Sequence, residues 1–182
     1  MPHWTEKVPD EVGEILIDER QIHKRVAELG AAITQDYQGK NPLLIAVLRG
    51  AAIFYADLIR HIDLKLRIDF ISVSSYGAVT KSSGEVQLLK DVESSIRGVD
   101  VILVEDIIDT GLTVDYLLRN LRNRGPASLR TCTFLSKPSR RQVQVQIDYV
   151  GFEVPDRFLV GYGLDYNQKY RNLPFIAVLN GV

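Results

Sequence analysis

Hydrophobic residues follow two spacings along the chain, which together predict alternating helices and strands. Apolar positions at helical spacing (Ile22, Val26, Leu29 and Ile33) follow Asp18, which predicts a capped helix. Continuous apolar runs predict strands that are buried on both faces. The predicted strands cover residues 43–48, 66–73, 86–89, 101–104, 129–135, 147–152, 158–160 and 175–179, and two further helices are predicted at 51–62 and around 114–121.

This alternation predicts an α/β fold with a mostly parallel, twisted sheet flanked by helices. The length of 182 residues suits one domain that spans residues 1–182. Ligands of such sheets bind beyond the carboxyl ends of the strands, which directs attention to the loops at Arg49-Gly50, 105–113 and Lys137-Pro138. The Ser- and Gly-rich segment 74–84 is predicted to be a mobile loop. Alternating Gln and Val or Ile over 142–147 predicts a half-exposed strand.

Composition and charge exclude several classes of protein. The formal net charge is -1 and no basic stripe with interleaved aromatic residues is visible, which argues against nucleic-acid binding. No apolar stretch is long enough to span a bilayer, and residues 1–10 lack the apolar core of a secretory signal. A cytoplasmic protein without membrane contact is therefore expected. The single Cys132 is expected to be a buried structural thiol, and the three scattered histidines predict no zinc site.

The most informative stretch is VILVEDIIDTGLT, residues 101–113. Glu105 and Asp106 end a predicted strand, and ionised carboxylates accept hydrogen bonds from a sugar diol. On a regular strand the two side chains face opposite sides, so both serve one ligand only if the backbone turns there. Thr110, Gly111 and Thr113 open a helix, where hydroxyl groups and backbone amides suit a phosphate. The alternatives are a solvated strand end and an ordinary helix cap.

Other phosphate motifs do not match this region. The G-x-x-x-x-G-K-[ST] spacing is absent around Gly111, and Gly161-Tyr162-Gly163 lacks the later glycine of a dinucleotide site. Three carboxylates close to a phosphate would repel it, and a divalent cation with oxygen ligands would relieve that repulsion. The motif therefore predicts a phosphorylated sugar held together with Mg²⁺.

These residues resemble the purine phosphoribosyltransferases of the hypoxanthine-guanine type. The run VEDIIDTG, residues 104–111, is similar to that family's signature for 5-phosphoribosyl-1-diphosphate. Leu48-Arg49-Gly50 resembles its pyrophosphate loop, whose Leu-Arg bond the family often makes in cis, and 74–77 resembles the start of its closing loop. Residues 150–156 and 161–166 resemble the hood over the purine. The resemblance implies a type I phosphoribosyltransferase core with a small hood formed by N-terminal residues and about 138–182.

The resemblance implies a role for each site residue. Asp109 would lie near purine N7 as the catalytic proton acceptor or electrostatic partner. Lys137 would donate to the 6-oxo group, Phe158 would stack on the base, and the backbone of Leu159 would contact its edge. Asp165 would line the same site and help to bind a second Mg²⁺. The implied donor-binding residues are Arg49, Gly50, Ser75, Tyr76, Glu105, Asp106, Thr110, Gly111, Leu112, Thr113 and Arg171, and the implied metal ligands are Glu105, Asp106 and Asp165.

The implied activity is phosphoribosyl transfer from 5-phosphoribosyl-1-diphosphate to N9 of hypoxanthine or guanine, with Mg²⁺, in a homodimer or homotetramer. Three alternatives stay open: a ligand-sensing RNA- or DNA-binding regulator, a transferase for another base, and a catalytically silent subunit. A lysine facing the base favours a 6-oxopurine over a 6-aminopurine, because an ammonium group donates hydrogen bonds and cannot accept them. The small basic cluster of Lys137, Arg140 and Arg141 is interpreted as solvated surface.

Overall fold

A six-stranded sheet forms the centre of this computed structural model, which describes residues 9–75 and 86–181. The strands are β1 (Val12–Ile17), β2 (Leu43–Leu48), β3 (Arg67–Ser75), β4 (Val86–Lys90), β5 (Asp100–Ile108), β6 (Ser128–Ser136), β7 (Tyr149–Glu153), β8 (Leu159–Val160) and β9 (Ile176–Leu179). The helices are α1 (Glu19–Asp36), α2 (Ala52–Arg60) and α3 (Leu112–Arg122), with a 3₁₀ turn at Pro138–Arg140. None of the helices in the described ranges could cross a membrane.

The central sheet has the strand order β4-β3-β2-β5-β6-β7. Its neighbouring strands are parallel except for β3 and β4, which pair antiparallel. The expected mostly parallel α/β sheet is therefore confirmed. A second sheet of order β1-β9-β8 is antiparallel and joins the first strand of the chain to its last two. The strand order reverses between β2 and β5, and ligands of open α/β sheets bind at such a switch point.

Both faces of the central sheet are covered, which explains why its strands are continuously apolar. On β2, Leu44 and Ala46 belong to the hydrophobic cluster that contains α1 and α2. Ile45 and Val47, on the opposite face, belong to the cluster that contains α3. Period-two alternation therefore distributes one apolar run between two cores. The predicted cap of α1 is also confirmed, because Asp18 Oδ1 accepts a hydrogen bond of 2.9 Å from the Gln21 amide.

Two segments differ from the sequence prediction. Strand β1 was not predicted, because only its end residues Val12 and Ile17 are buried and its sequence shows no alternation. Residues 142–147 do alternate in burial but form no strand. The amides of Gln142 and Val143 both donate to the Thr110 carbonyl oxygen, so this segment packs against a loop instead of extending a sheet. The predicted loop 74–84 lies mostly outside the described residues, and its first two residues continue β3.

Candidate active site

The acidic motif lies where β5 ends and α3 begins, and its first two carboxylates face different cavities. Glu105 lines a cavity of about 100 Å³ together with Thr110, Gly111 and Thr113. Asp106 lines a neighbouring cavity of about 520 Å³. The prediction that these two residues end the strand is wrong, because β5 continues through both to Ile108. They line different cavities, yet their carboxylates stay close enough for Asp106 to raise the pKa of Glu105. The two cavities thus share the end of one strand.

The smaller cavity has the features of a phosphate site. It lies at the first turn of α3, where helix amides have no acceptor within the helix and the helix dipole favours an anion. Gly111 precedes the helix with φ of 88°, and a Cβ atom there would lie 2.6 Å from the Val143 carbonyl oxygen. Only glycine fits both the positive φ and this close contact. The side chain of the next residue, Leu112, is partly exposed beside the cavity.

The larger cavity combines a buried cation with an exposed aromatic ring. Lys137 is only 8% exposed, and its Nζ donates a 2.7 Å hydrogen bond to the Arg157 carbonyl oxygen. Phe158 is 41% exposed, so it is not a core residue, and its ring contacts Tyr166 edge-on at 5.5 Å between centroids. The residues that line this cavity are Asp106, Ile107, Asp109, Lys137, Arg140, Asp156, Arg157, Phe158, Leu159, Leu164 and Asp165.

Burial makes the acidic pair electrostatically unfavourable without a ligand. Burial raises the pKa of Asp106 to about 6, with the nearby Asp165 acting in the same direction and Arg171 opposing it. Burial, followed by repulsion from Asp106, raises the pKa of Glu105 well above its usual range. These shifts indicate that the end of β5 favours a bound cation or hydrogen-bond donors. Sugar hydroxyl groups are donors of this kind.

Arg171 and Asp165 form an ion pair beside the larger cavity. Arg171 Nη2 lies 2.6 Å from Asp165 Oδ1, and Arg171 Nη1 donates a 2.6 Å hydrogen bond to the Gly163 carbonyl oxygen. Asp165 also accepts a 2.8 Å hydrogen bond from the Gln168 amide. In this structure the two predicted ligand-binding residues therefore pair with each other. A pyrophosphate group would compete with Asp165 for the guanidinium group.

The Arg49-Gly50 loop packs directly on the acidic motif. The Leu48–Arg49 peptide bond is cis, as the resemblance implied. A Cβ atom on Gly50 would lie 1.8 Å from Asp106 Oδ2, and a Cβ atom on Gly163 would lie 2.2 Å from the Gly50 carbonyl oxygen. The backbone of Gly50 thus fills the space between Asp106 and Gly163. The side chain of Arg49 is exposed beside this contact.

Some of the predicted site residues are not brought into a recognisable arrangement or lie at or beyond the limits of the described ranges. The predicted metal ligands Glu105, Asp106 and Asp165 form no cage, since no group of three or more His, Cys, Asp or Glu side chains in residues 9–75 and 86–181 is arranged around a metal position. Ser75 is the last residue of β3, and Tyr76 lies outside the described residues. The predicted roles of these residues stay predictions.

Sequence reasoning missed Arg140 and Arg141 as parts of this site. Arg140 Nε lies 3.1 Å from Asp109 Oδ1, and Arg141 Nη1 donates a 3.1 Å hydrogen bond to the Asp109 carbonyl oxygen. Arg141 Nη2 also donates to Ser136 Oγ at 2.9 Å. The interpretation of the basic cluster as solvated surface therefore holds for the exposed Arg140 but not for the half-buried Arg141 or the buried Lys137. The position of both arginines just beyond Lys137, at the carboxyl end of β6, was the signal that could have identified them.

Comparisons with known proteins agree with this geometry. Residues 13–167 match the family model described as phosphoribosyl transferase domain. The chain is 53% identical over 169 residues to a hypoxanthine-guanine phosphoribosyltransferase of Bacillus subtilis, covering 93% of this chain and 94% of that protein. A Lactococcus lactis protein of the same name is 49% identical over 168 residues, covering 92% of this chain and 91% of the relative.

Solved structures give the same result at the level of the fold. A hypoxanthine-guanine phosphoribosyltransferase from Bacillus anthracis superposes with a TM-score of 0.88 at 50% identity, covering 92% of this chain and 99% of that one. A hypoxanthine phosphoribosyltransferase from Staphylococcus aureus superposes with a TM-score of 0.89 at 47% identity, covering 93% and 92% of the two chains. The chain described here therefore belongs to the phosphoribosyltransferase family and has its type I α/β core.

Proposed function

We propose that this protein transfers the phosphoribosyl group of 5-phosphoribosyl-1-diphosphate to N9 of hypoxanthine or guanine, which releases pyrophosphate and gives IMP or GMP. The observation that carries the proposal is the cavity of about 520 Å³, in which Lys137, Asp109 and Phe158 line one space beside the phosphate cavity. The names of the relatives at 49–53% identity support the same reaction.

The smaller cavity suits the 5-phosphate end of the donor, and two arginines beside the larger cavity suit its pyrophosphate end. The 5-phosphate binds at the start of α3, with Thr110, Gly111 and Thr113 around it. Glu105 and Asp106 accept hydrogen bonds from the ribose hydroxyl groups, which lie over the end of β5 and therefore between the cavities. Arg49 and Arg171 neutralise the pyrophosphate, whose arrival displaces Asp165 from Arg171.

The larger cavity suits a 6-oxopurine. Phe158 offers an exposed ring face on which the base stacks, and Lys137 donates to the 6-oxo group with its buried ammonium group. The Arg157 carbonyl oxygen keeps the ammonium group in place before the base arrives. A 6-aminopurine would place two donors opposite each other, which is unfavourable. Asp109 lines the same cavity and accepts the proton that the base releases when N9 forms its bond to C1′.

The reaction breaks the bond between C1′ and the pyrophosphate oxygen and forms the bond between N9 and C1′, with inversion at C1′. Positive charge develops on the ribose, and the carboxylates at the end of β5 lie in the region where they stabilise it. The two negative charges of the acidic pair and the charge of the donor require a counter-charge from Arg49, Arg171 and a cation. Exclusion of water from the site would protect the activated sugar from hydrolysis.

Mg²⁺ fits the acidic pair as a partner shared with the donor. Glu105 and Asp106 are close carboxylates with raised pKa values, so a divalent cation would relieve their repulsion. Mg²⁺ binds few protein carboxylates and completes its shell with water and substrate phosphates. Glu105 and Asp106 would hold this cation and Asp165 would help to hold a second one, and the cations would supply charge neutralisation to the leaving pyrophosphate.

An assay of nucleotide formation tests the proposal. The protein is mixed with 5-phosphoribosyl-1-diphosphate, Mg²⁺ and one base at a time (hypoxanthine, guanine, xanthine, adenine or uracil), and products are separated by ion-exchange chromatography. We expect IMP and GMP to form at least about 100-fold faster than AMP. With adenine, the buried ammonium group of Lys137 would face a 6-amino donor and lose its hydrogen bond to the base, which accounts for a difference of this size. Preference for adenine or uracil, or no product with any base, would refute the proposal.

A homodimer or homotetramer stays a prediction, which light scattering after size exclusion would test.

A further inference from the structure

Arg140 lies between two carboxylates at the edge of the larger cavity. It ends the 3₁₀ turn Pro138–Arg140, which follows directly after the base-facing Lys137. Its Nε lies 3.1 Å from Asp109 Oδ1, and its Nη1 lies 3.7 Å from Asp156 Oδ1. All three side chains line the cavity in which the purine binds. The guanidinium group is therefore held on one side by Asp156 and contacts the proposed proton acceptor on the other.

The contact engages one oxygen of the Asp109 carboxylate and leaves the second oxygen available to the base. The Asp109 side chain is 38% exposed, so packing alone does not fix its orientation. A proton acceptor has to lie within about 2.6–3.2 Å of the proton that it removes. An ion pair from the cavity wall restricts the rotation of this carboxylate before the base arrives.

The backbone of the same loop is fixed by other groups. Arg141 Nη1 donates to the Asp109 carbonyl oxygen, and the Gln142 and Val143 amides donate to the Thr110 carbonyl oxygen. These contacts set the position of the main chain but not the torsion of the Asp109 side chain. The Asp109 carboxylate contacts Arg140, which is separated from it by 31 positions in the sequence, and this contact restricts that torsion.

We propose that Arg140 is a positioning residue, which orients the Asp109 carboxylate toward the purine. The inference rests on the proposed function, because it assumes that Asp109 accepts a proton from the base. It assigns a role in turnover to a residue that does not bind the donor. The pair is partly exposed on both sides, so it contributes little to stability. A change at Arg140 consequently affects turnover far more than folding.

The test compares steady-state kinetics of the wild type with Arg140→Gln and Arg140→Lys. For Arg140→Gln we expect kcat to fall about 10-fold, because a misplaced catalytic group commonly costs this much or more. The KM for 5-phosphoribosyl-1-diphosphate should stay within about two-fold, and the melting temperature within about 2 °C. The contact uses only Nε of the guanidinium group, so Arg140→Lys should recover most of the lost kcat.

A double-mutant cycle separates positioning from an independent role. In the Asp109→Asn background, Arg140→Gln should change kcat by less than about two-fold, because its target is already lost. Arg119→Gln is the matched control, since Arg119 pairs with Asp115 on the surface of α3, and it should leave kcat unchanged. Equal fold losses in both backgrounds, or an unchanged kcat in Arg140→Gln, would overturn the inference. An inactive wild type would refute the proposed function instead.

Discussion

Gly50 and Asp106 touch across the carboxyl edge of the central sheet, so closely that a Cβ atom on Gly50 would lie 1.8 Å from Asp106 Oδ2. The Arg49-Gly50 loop, which is expected to bind pyrophosphate, is therefore in direct contact with the Asp106 carboxylate, which is expected to bind ribose. We expect Gly50→Ala to displace the Asp106 side chain and to lower kcat/KM for the donor by about 10-fold or more. Kinetics with varied donor concentration measure this effect.

Gly39→Ala is the control for the glycine substitution. Gly39 has a positive φ of 75° and no heavy atom within 4 Å of a Cβ at that position. It should lose about 1 kcal/mol of stability and keep its turnover, because only backbone strain changes. If Gly50→Ala behaved like Gly39→Ala, the contact with Asp106 would have no part in donor binding.

Asp106→Asn should make the ligand-free protein more stable while abolishing activity. The pKa of Asp106 is about 6, compared with an ordinary value of 3.8, so the folded protein binds a proton more tightly than the unfolded chain. The folded state is therefore penalised once the pH rises above these values. We expect the melting temperature of Asp106→Asn to exceed that of the wild type at about pH 8, and the difference to shrink toward about pH 4. Thermal denaturation as a function of pH measures both.

Asp69→Asn should have a lower melting temperature than the wild type at neutral pH, and thermal denaturation as a function of pH measures the difference. Burial opposes ionisation of Asp69, but hydrogen bonds from the Glu93 and Phe70 amides and from Lys90 outweigh it and lower the pKa. This carboxylate therefore stabilises the fold at neutral pH, and its contribution is lost as the pH falls through the lowered value. A stabilising effect of Asp69→Asn at neutral pH would contradict the electrostatic argument for both residues.

Asp109→Asn should lower kcat by roughly 10²–10⁴-fold, the range expected when a general base is removed. Asp109 lines both cavities, but its side chain pairs with Arg140 of the larger one, so kcat should fall far more than the KM for the donor changes. Asp115→Asn, on the surface of α3, provides a matched carboxylate change outside the site. Turnover of Asp109→Asn within a few-fold of the wild type would show that the base loses its proton by another route.

Lys137→Ala should weaken purine binding selectively. A hydrogen bond to a charged group contributes about 1.5–3 kcal/mol, so the KM for hypoxanthine should rise by roughly 10- to 100-fold. The KM for 5-phosphoribosyl-1-diphosphate should stay within about two-fold, because Lys137 lines only the purine-side cavity of the two described at this site. Lys65→Ala, at an exposed position, is the control. Equal damage to the binding of both substrates would refute the assignment of Lys137 to the base.

The local pattern of the chain was sufficient to predict most of the sheet and its ends. The apolar run of β2, the capping box of Asp18 and the acidic end of β5 are determined by neighbouring residues. The strand β1 could not be predicted in this way, because only its end residues Val12 and Ile17 are buried and its pairing partner β9 comes from the other end of the chain. A pairing partner so far away leaves no periodic signal in the strand itself.

The same difference between local patterns and long-range contacts applies to the candidate site. By itself the sequence determined which chemical groups lie near the ends of strands and the starts of helices, because these positions depend on local spacing. The groups identified in this way are Glu105, Asp106, Asp109 and Lys137. The tertiary structure alone decided where each group points and what it contacts. Asp106 lines the larger cavity, and Asp109 pairs with Arg140 across 31 positions of sequence. Such contacts arise only when separate loops meet at one edge of the folded sheet, since no local pattern encodes a distant partner.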